Sequence, residues 1–336
     1  MAVVTQKKKT LKIVLSFVIT VLVLAAVFYW SVLAGGIKVT PVELFRGLFI
    51  EYDENVAIIF DLRFPRIIVA MVGGAMMAVS GVLLQAVLRN PLAEPGIIGI
   101  NSGAALAAAL FVAFFPSLSG FASIASFVGG LVAFALVYTL AWNKHLNPLR
   151  LILVGVAIDT MFSGLAEVFT SATGGSYTGA TSIIEANITL KSWSDVKVLC
   201  IYAAIGLIAA FLTAKRCNLL SLSDETVSSL GINVNHSRIL ISIISVFLAS
   251  VFTAIIGPVS FLGLIVPHIA RLLVGNDHRL LIPYSMILGA VIFLAADTIG
   301  RVIAYPYEIG AGVVMAVIGG PVFIILLRSN KKAYGG

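Results

Sequence analysis

Ten apolar segments, most of them near the length of a bilayer crossing, dominate this sequence. They run from Ile13 to Leu33, Ile67 to Leu88, Ile97 to Phe115, Phe121 to Trp142, Leu151 to Phe169, Val196 to Ala214, Ile239 to Ile256, Val259 to Leu273, Leu280 to Ile303 and Ile309 to Leu327. About 20 apolar residues at 1.5 Å per residue cross a hydrocarbon core of about 30 Å. Lipid offers no partner to a free N–H or C=O, so such segments must be helical or close into a barrel. The expected fold is therefore all-α: a polytopic membrane protein of ten transmembrane helices, with residues 1–336 forming a single transmembrane domain. Only 11% of the 336 residues are charged and 60% are hydrophobic, against roughly 25% charged in a soluble domain. No stretch is long or polar enough for a separate soluble catalytic domain. The first segment is longer than the 7–15 residues typical of a signal-peptide core. It ends in Phe28-Tyr29-Trp30, as an interfacial aromatic belt would, and reads as an uncleaved first helix.

An even number of spans behind the basic start Lys7-Lys8-Lys9 puts both termini in the cytoplasm. The 22 Lys and Arg residues test that orientation. Lys38, Arg46, Arg63, Arg66, Lys191, Lys197 and Arg301 fall outside and all the others fall inside, the bias the positive-inside rule requires. The net charge of +7 is thus mainly topology, and nucleic acid is not an expected partner. Five spans followed by five more imply that, if the halves are repeats, they are inverted, a common transporter plan. Each half carries a Gly/Pro-marked stretch, Asn90–Gly96 and Gly257–Gly263, at the cytoplasmic and outer edges respectively.

No phosphate-binding loop, HExxH metal pair or GxSxG elbow is present, so no catalytic residue, cofactor or metal site is expected. His145, His236, His268 and His278 lie apart on the cytoplasmic side and read as satisfied interfacial residues. Cys200 and Cys217 would sit about 25 Å apart along one span, too far for a disulfide. Asp159 and Asp297 lie well inside spans with no basic partner in view, and bonding to helix ends or to hydroxyls such as Thr160 and Thr298 is expected of them. An ion relay is the alternative. Small residues in the second span (Gly73, Gly74, Ala75, Ala78, Ser80, Gly81) and in the third (from Gly103 to Ala109) suit close helix packing or a wide passage. Between Lys215 and Arg238, Ser221–Gly231 begins with cap residues, places Val227 and Leu230 three apart and ends in glycine, which predicts a short capped helix in a cytoplasmic loop. It could rest on the lipid surface or enter a groove on a soluble partner. Arg63, Arg66 and Arg301 oppose the charge bias outside. Snorkelling arginines or a dock for carboxylates would both account for them.

These stretches, taken in order, resemble the permease subunits of ABC importers for ferric siderophores, haem and cobalamin. The matching text includes Arg63-Phe64-Pro65-Arg66, Ser80–Gln85, Arg89–Gly99, Gly257–Arg271, Asp277-His278-Arg279, Ala296-Asp297 and Gly319–Phe323. The resemblance implies a pair of permeases, identical or related, around one path, with two ATPase subunits below and an extracytoplasmic siderophore-binding protein above, in a bacterial plasma membrane. It also implies that Arg63, Arg66 and Arg301 dock glutamates of the binding protein. Ser223, Asp224, Glu225, Thr226, Val227, Ser229, Leu230 and Gly231 would form the helix that couples to the ATPase, although Ser223–Thr226 replaces a more usual Gly-Glu-Glu pattern. Asn147, Pro148 and Leu149 fall near the family's cytoplasmic gate. The outer text from Ile184 to Ser192 departs from the Trp and Gly-Ser pair of many relatives. Ferric siderophore import is the function expected, with haem or cobalamin as the alternative and an ion-coupled carrier further off.

Overall fold

The structure is a computed structural model and describes residues 2–35, 39–141, 148–186 and 188–329. In chain order the helices are α1 (Ala2–Leu33), α2 (Pro41–Phe49), α3 (Glu54–Ile58), α4 (Phe64–Leu88), α5 (Ile100–Phe114), α6 (Ala122–Ala141), α7 (Pro148–Ala172) and α8 (Thr178–Ile184). They continue with α9 (Trp193–Leu212), α10 (Ala214–Leu220), α11 (Asp224–Ser229), α12 (Val234–Ile256), α13 (Leu262–Val274), α14 (His278–Ile303) and α15 (Ala311–Ser329). A π-turn at Ile59–Arg63 leads into α4, and a 3-10 turn at Pro116–Phe121 leads into α6. Among the described residues there is no strand. Among the described residues seven helical stretches are long and apolar enough to cross a membrane: Thr10–Leu33, Glu54–Leu88, Pro116–Ala141, Arg150–Ala172, Trp193–Leu212, Val234–Ile256 and His278–Ile303. Three shorter apolar helices, Ile100–Phe114, Leu262–Val274 and Ala311–Ile325, lie over the remaining apolar segments.

The core forms around α4. Its side chains are buried almost throughout, packed by α9, α12, α13 and α14. Small residues permit this. A Cβ at Gly74 would stand 2.4 Å from the Gly289 carbonyl oxygen, and one at Gly81 only 1.9 Å from that of Gly263. Close backbone approach is a main source of helix association in lipid, where burial of apolar surface gives little. The small residues of the second span are therefore packing residues. By contrast α1 and α7 keep large apolar side chains such as Leu22, Val23, Leu153 and Leu165 exposed, as lipid or another subunit would require.

Short helices appear where only loops were expected. Ala214, Cys217 and Leu220 recur every third position and are buried, making α10 out of a stretch that Lys215 and Arg216 had marked as polar loop. Both cysteines are free, and burial pushes the Cys217 thiol up to about 12. Helix α2 starts with a capping box between Thr40 and Glu43.

The two Gly/Pro-marked stretches correct an expectation. They were placed at opposite membrane edges, yet they touch: the Phe261 N–H donates to Glu94 Oε1 at 3.0 Å and Asn101 Nδ2 donates to the Val259 carbonyl at 3.1 Å. Helices α5 and α13 explain how. They have 15 and 13 residues, or about 22 and 20 Å, too short to cross alone. Both begin at a left-handed residue, Gly99 and Phe261. Each marked stretch thus runs inward as irregular chain and meets the other inside the bundle, where protein satisfies the backbone that lipid could not.

Candidate functional site

Arg63 and Arg66 stand at the start of α4 and Arg301 near the end of α14, and the fold gathers all three at one end of the bundle. Together they border a cavity of about 260 Å³ that Thr189, Tyr305 and Glu308 complete. They do not project into solvent. Arg66 is 4% exposed and Arg301 6%, and both use their donors internally. Arg66 Nε and Nη2 bind Asp297 at 2.9–3.1 Å, while its Nη1 binds Glu308 Oε2 at 2.6 Å. Arg63 Nη1 donates to the Val32 carbonyl at 2.9 Å, and Arg301 Nη2 to the Ser31 carbonyl at 2.6 Å. Two guanidiniums thereby satisfy last-turn carbonyls of α1, which no intrahelical donor reaches.

This network overturns the reading of Asp297 as an acid without a basic partner. Asp297 is fully buried and lies one helical turn from Arg301. Its partner is Arg66, while Thr298 bonds the Leu294 carbonyl instead. Glu308 differs in being partly open, with 34% of its side chain exposed. Burial would raise its carboxyl, but the Arg66 hydrogen bond and charge, helped by the Thr189 hydroxyl and Arg301, hold it below the usual glutamate range. Three guanidiniums face two carboxylates here, and the Nε of Arg301 has no hydrogen-bond partner among the described residues. The site carries surplus positive charge and suits a further acceptor.

At the other end of α4, about 37 Å away along its 25 residues, lies α11. Ser223 caps it by accepting from the Thr226 N–H at 3.3 Å, and Gly231 follows in a left-handed conformation. Val227 is buried as its anchor, whereas Leu222 and Leu230 are 42% and 58% exposed. Val227 and Leu230 therefore do not share a buried face. Asp224 is the fastening point. Its Oδ1 accepts from Arg89 Nη2 at 2.6 Å and from Arg238 Nη2 at 3.0 Å. Arg89, in the left-handed residue that ends α4, also donates through Nε to the Leu220 carbonyl at 2.6 Å and through Nη2 to that of Leu222. Nearby, Asn218 and the Arg279 N–H bond Asp277 and lower its carboxyl. Asn147 lies outside the described residues; Pro148 and Leu149 open α7.

Between these ends the touching stretches border a cavity of about 490 Å³ lined by Glu94, Asn101, Ser102, Asp159, Ser163 and Ser260 among others. Glu94 and Asn101 escaped the sequence reading, although the Pro-rich text around Glu94 marked the place. Glu308 and Thr189 escaped it too, because the partners of Glu308 are distant in sequence: Arg66 by 242 residues and Thr189 by 119. Among the described residues no group of three or more His, Cys, Asp and Glu side chains could hold a metal.

Comparison with known proteins gives a consistent set of likenesses. Residues 22–329 match the FecCD transport family. Over 326 residues the chain is 41% identical to the probable heme-iron transport system permease protein IsdF of Staphylococcus aureus, covering 97% of this chain and 98% of that one. A solved structure assigned as a metal-chelate type ABC transporter, in an inward-facing conformation, superposes with a TM-score of 0.78 at 28% identity, covering 92% of this chain and 97% of that one. PsaBC from Streptococcus pneumoniae, solved in complex with a Fab, shares the fold, with a TM-score of 0.58 at 17% identity over 86% of this chain and 95% of its own.

Proposed function

We propose, since this chain belongs to the FecCD transport family, that it carries a bulky iron chelate inward across the membrane, powered by ATPase subunits it does not itself contain. It is an ABC importer permease, a multi-pass protein of the bacterial plasma membrane. Haem is the first substrate to test, because the 41%-identical relative bears a haem-iron name; a ferric siderophore, the expectation from the sequence, is the second.

In this reading the chain crosses the bilayer ten times with both termini in the cytoplasm, pairs with a second permease and rests on two ATPase subunits. Arg63, Arg66 and Arg301 face outward and receive acidic side chains of the binding protein. Helix α11 faces inward, with Leu222 and Leu230 free to enter an ATPase cleft and Asp224 tied to α4 and α12. The residues 147–149 stand near the inner gate, and the Glu94–Asp159 cavity belongs to the path. The observation that carries the reading is that one buried helix, α4, has the arginine cluster at its start and the Arg89–Asp224 fastening at its end. A ligand moves a conformational equilibrium only through its differential affinity for the two states. ATP on the partner must therefore favour one arrangement of α11, and α4 is the rigid link to the far end.

The test is reconstitution of the chain with its ATPase subunits in nanodiscs. Loaded binding protein should stimulate ATP hydrolysis severalfold, and replacing Arg63 and Arg301 together by Glu should abolish that stimulation while the ATPase stays bound. Full stimulation of that variant would reject the docking role.

A further inference from the structure

Glu308 is the odd member of the arginine cluster. Asp297 is fully enclosed and already engages Arg66 through two nitrogens. Glu308 takes only the remaining one, Nη1, at 2.6 Å. It does so from the turn between α14 and α15, which folds back so that the Ile309 N–H donates to the Gly300 carbonyl at 2.9 Å. Its second tie is the Thr189 hydroxyl, at 2.9 Å, from the loop between α8 and α9. Every other described contact of the three arginines noted above is to buried backbone, Ser31 or Asp297. Among the described contacts of the cluster, the Arg66–Glu308 bond is a charged one whose partner faces solvent.

We propose that Glu308 is an internal stand-in for the docking partner's carboxylate: it occupies Arg66 Nη1 until an acidic side chain of the partner displaces it, and so sets how tightly the partner docks. The inference rests on the docking role assigned above to the arginine cluster. The pair opens to solvent only on its Glu308 side, where 34% of the side chain is exposed, whereas the Asp297 side of Arg66 is enclosed, so exchange at Nη1 leaves the arginine held in place. Exchanging one carboxylate for another leaves Arg66 Nη1 with a charged acceptor throughout. It also prevents the partner from gaining a full new ion pair, which favours a complex that forms and separates in every cycle. Thr189 steadies the stand-in and gives the outer loop a direct influence on docking strength. Displaced Glu308 would remain close to the incoming carboxylate and repel it, a second reason why it weakens docking.

The experiment measures binding of the loaded binding protein to the permease–ATPase complex in nanodiscs, by surface-based kinetics at low and moderate salt. Glu308→Gln should tighten docking about tenfold, mainly by slowing dissociation, since interface changes act mostly on that rate. Thr189→Ala should tighten it less, and retention of the ATPase subunits reports that each variant is folded. Arg63→Glu serves as the reference for docking itself. If Arg63→Glu weakens docking but Glu308→Gln leaves it unchanged or weaker, the stand-in role is wrong and the docking role survives. If neither changes docking, the docking role itself fails, and the stand-in with it.

Discussion

Arg66 illustrates why burial, rather than position along a span, determines what a charged residue does. Removing one member of a buried ion pair leaves an uncompensated charge and costs about 3–5 kcal/mol. Asp297→Asn should fall at the lower end, about 3 kcal/mol, because Glu308 still faces Arg66. Thermal unfolding of the variant in detergent should show a clearly lowered midpoint, and an unchanged midpoint would mean that the Arg66–Asp297 pair is not holding α4 to α14. The sequence made both residues visible but not their pairing, since 231 positions separate them and no local spacing links them. Arg63, Arg66 and Arg301 were legible as a group because they violate the charge bias of the loops. Their burial was not, because it depends on α1 ending over them.

At the scale of elements, α11 and the tip of α4 behave as one unit. Asp224 receives a guanidinium from each of two helices, Arg89 from α4 and Arg238 from α12. Asp224→Asn and Arg89→Gln should both leave the ATPase subunits bound, since Leu222 and Leu230 remain exposed for contact, yet lower transport per ATP hydrolysed by roughly an order of magnitude, as expected when motion of α11 no longer reaches α4. Parallel assays of ATP hydrolysis and uptake check this, and equal loss of both would indicate failed assembly instead. The capped helix itself was legible from Ser223 and Gly231, whereas the spacing of Val227 and Leu230 did not mark a shared buried face. Helix α10 was not legible, because Lys215 and Arg216 hide a three-residue apolar repeat too short to stand out. The meeting of the Glu94 and Phe261 stretches was also hidden: Pro and Gly announce a break but not its depth. That depth emerges only from the shortness of α5 and α13, and the sequence blurs it by running apolar residues past both helix starts.

For the whole molecule, the apolar segments and the distribution of Lys and Arg specify an all-helical membrane protein, and the close glycine contacts of α4 specify how its centre packs. A chain with so little polar surface places most of its described polar clusters at the two ends of the bundle or beside the interior cavity. On the proposed function, inward movement of an iron chelate by this chain requires energy from elsewhere. Its most direct test is uptake of haem or a ferric siderophore into proteoliposomes that hold the chain alone, or the chain with its ATPase subunits and binding protein. ATP-dependent uptake only with all partners present, insensitive to ionophores, is the predicted result; uptake by the chain alone, collapsing with an ionophore, would contradict it.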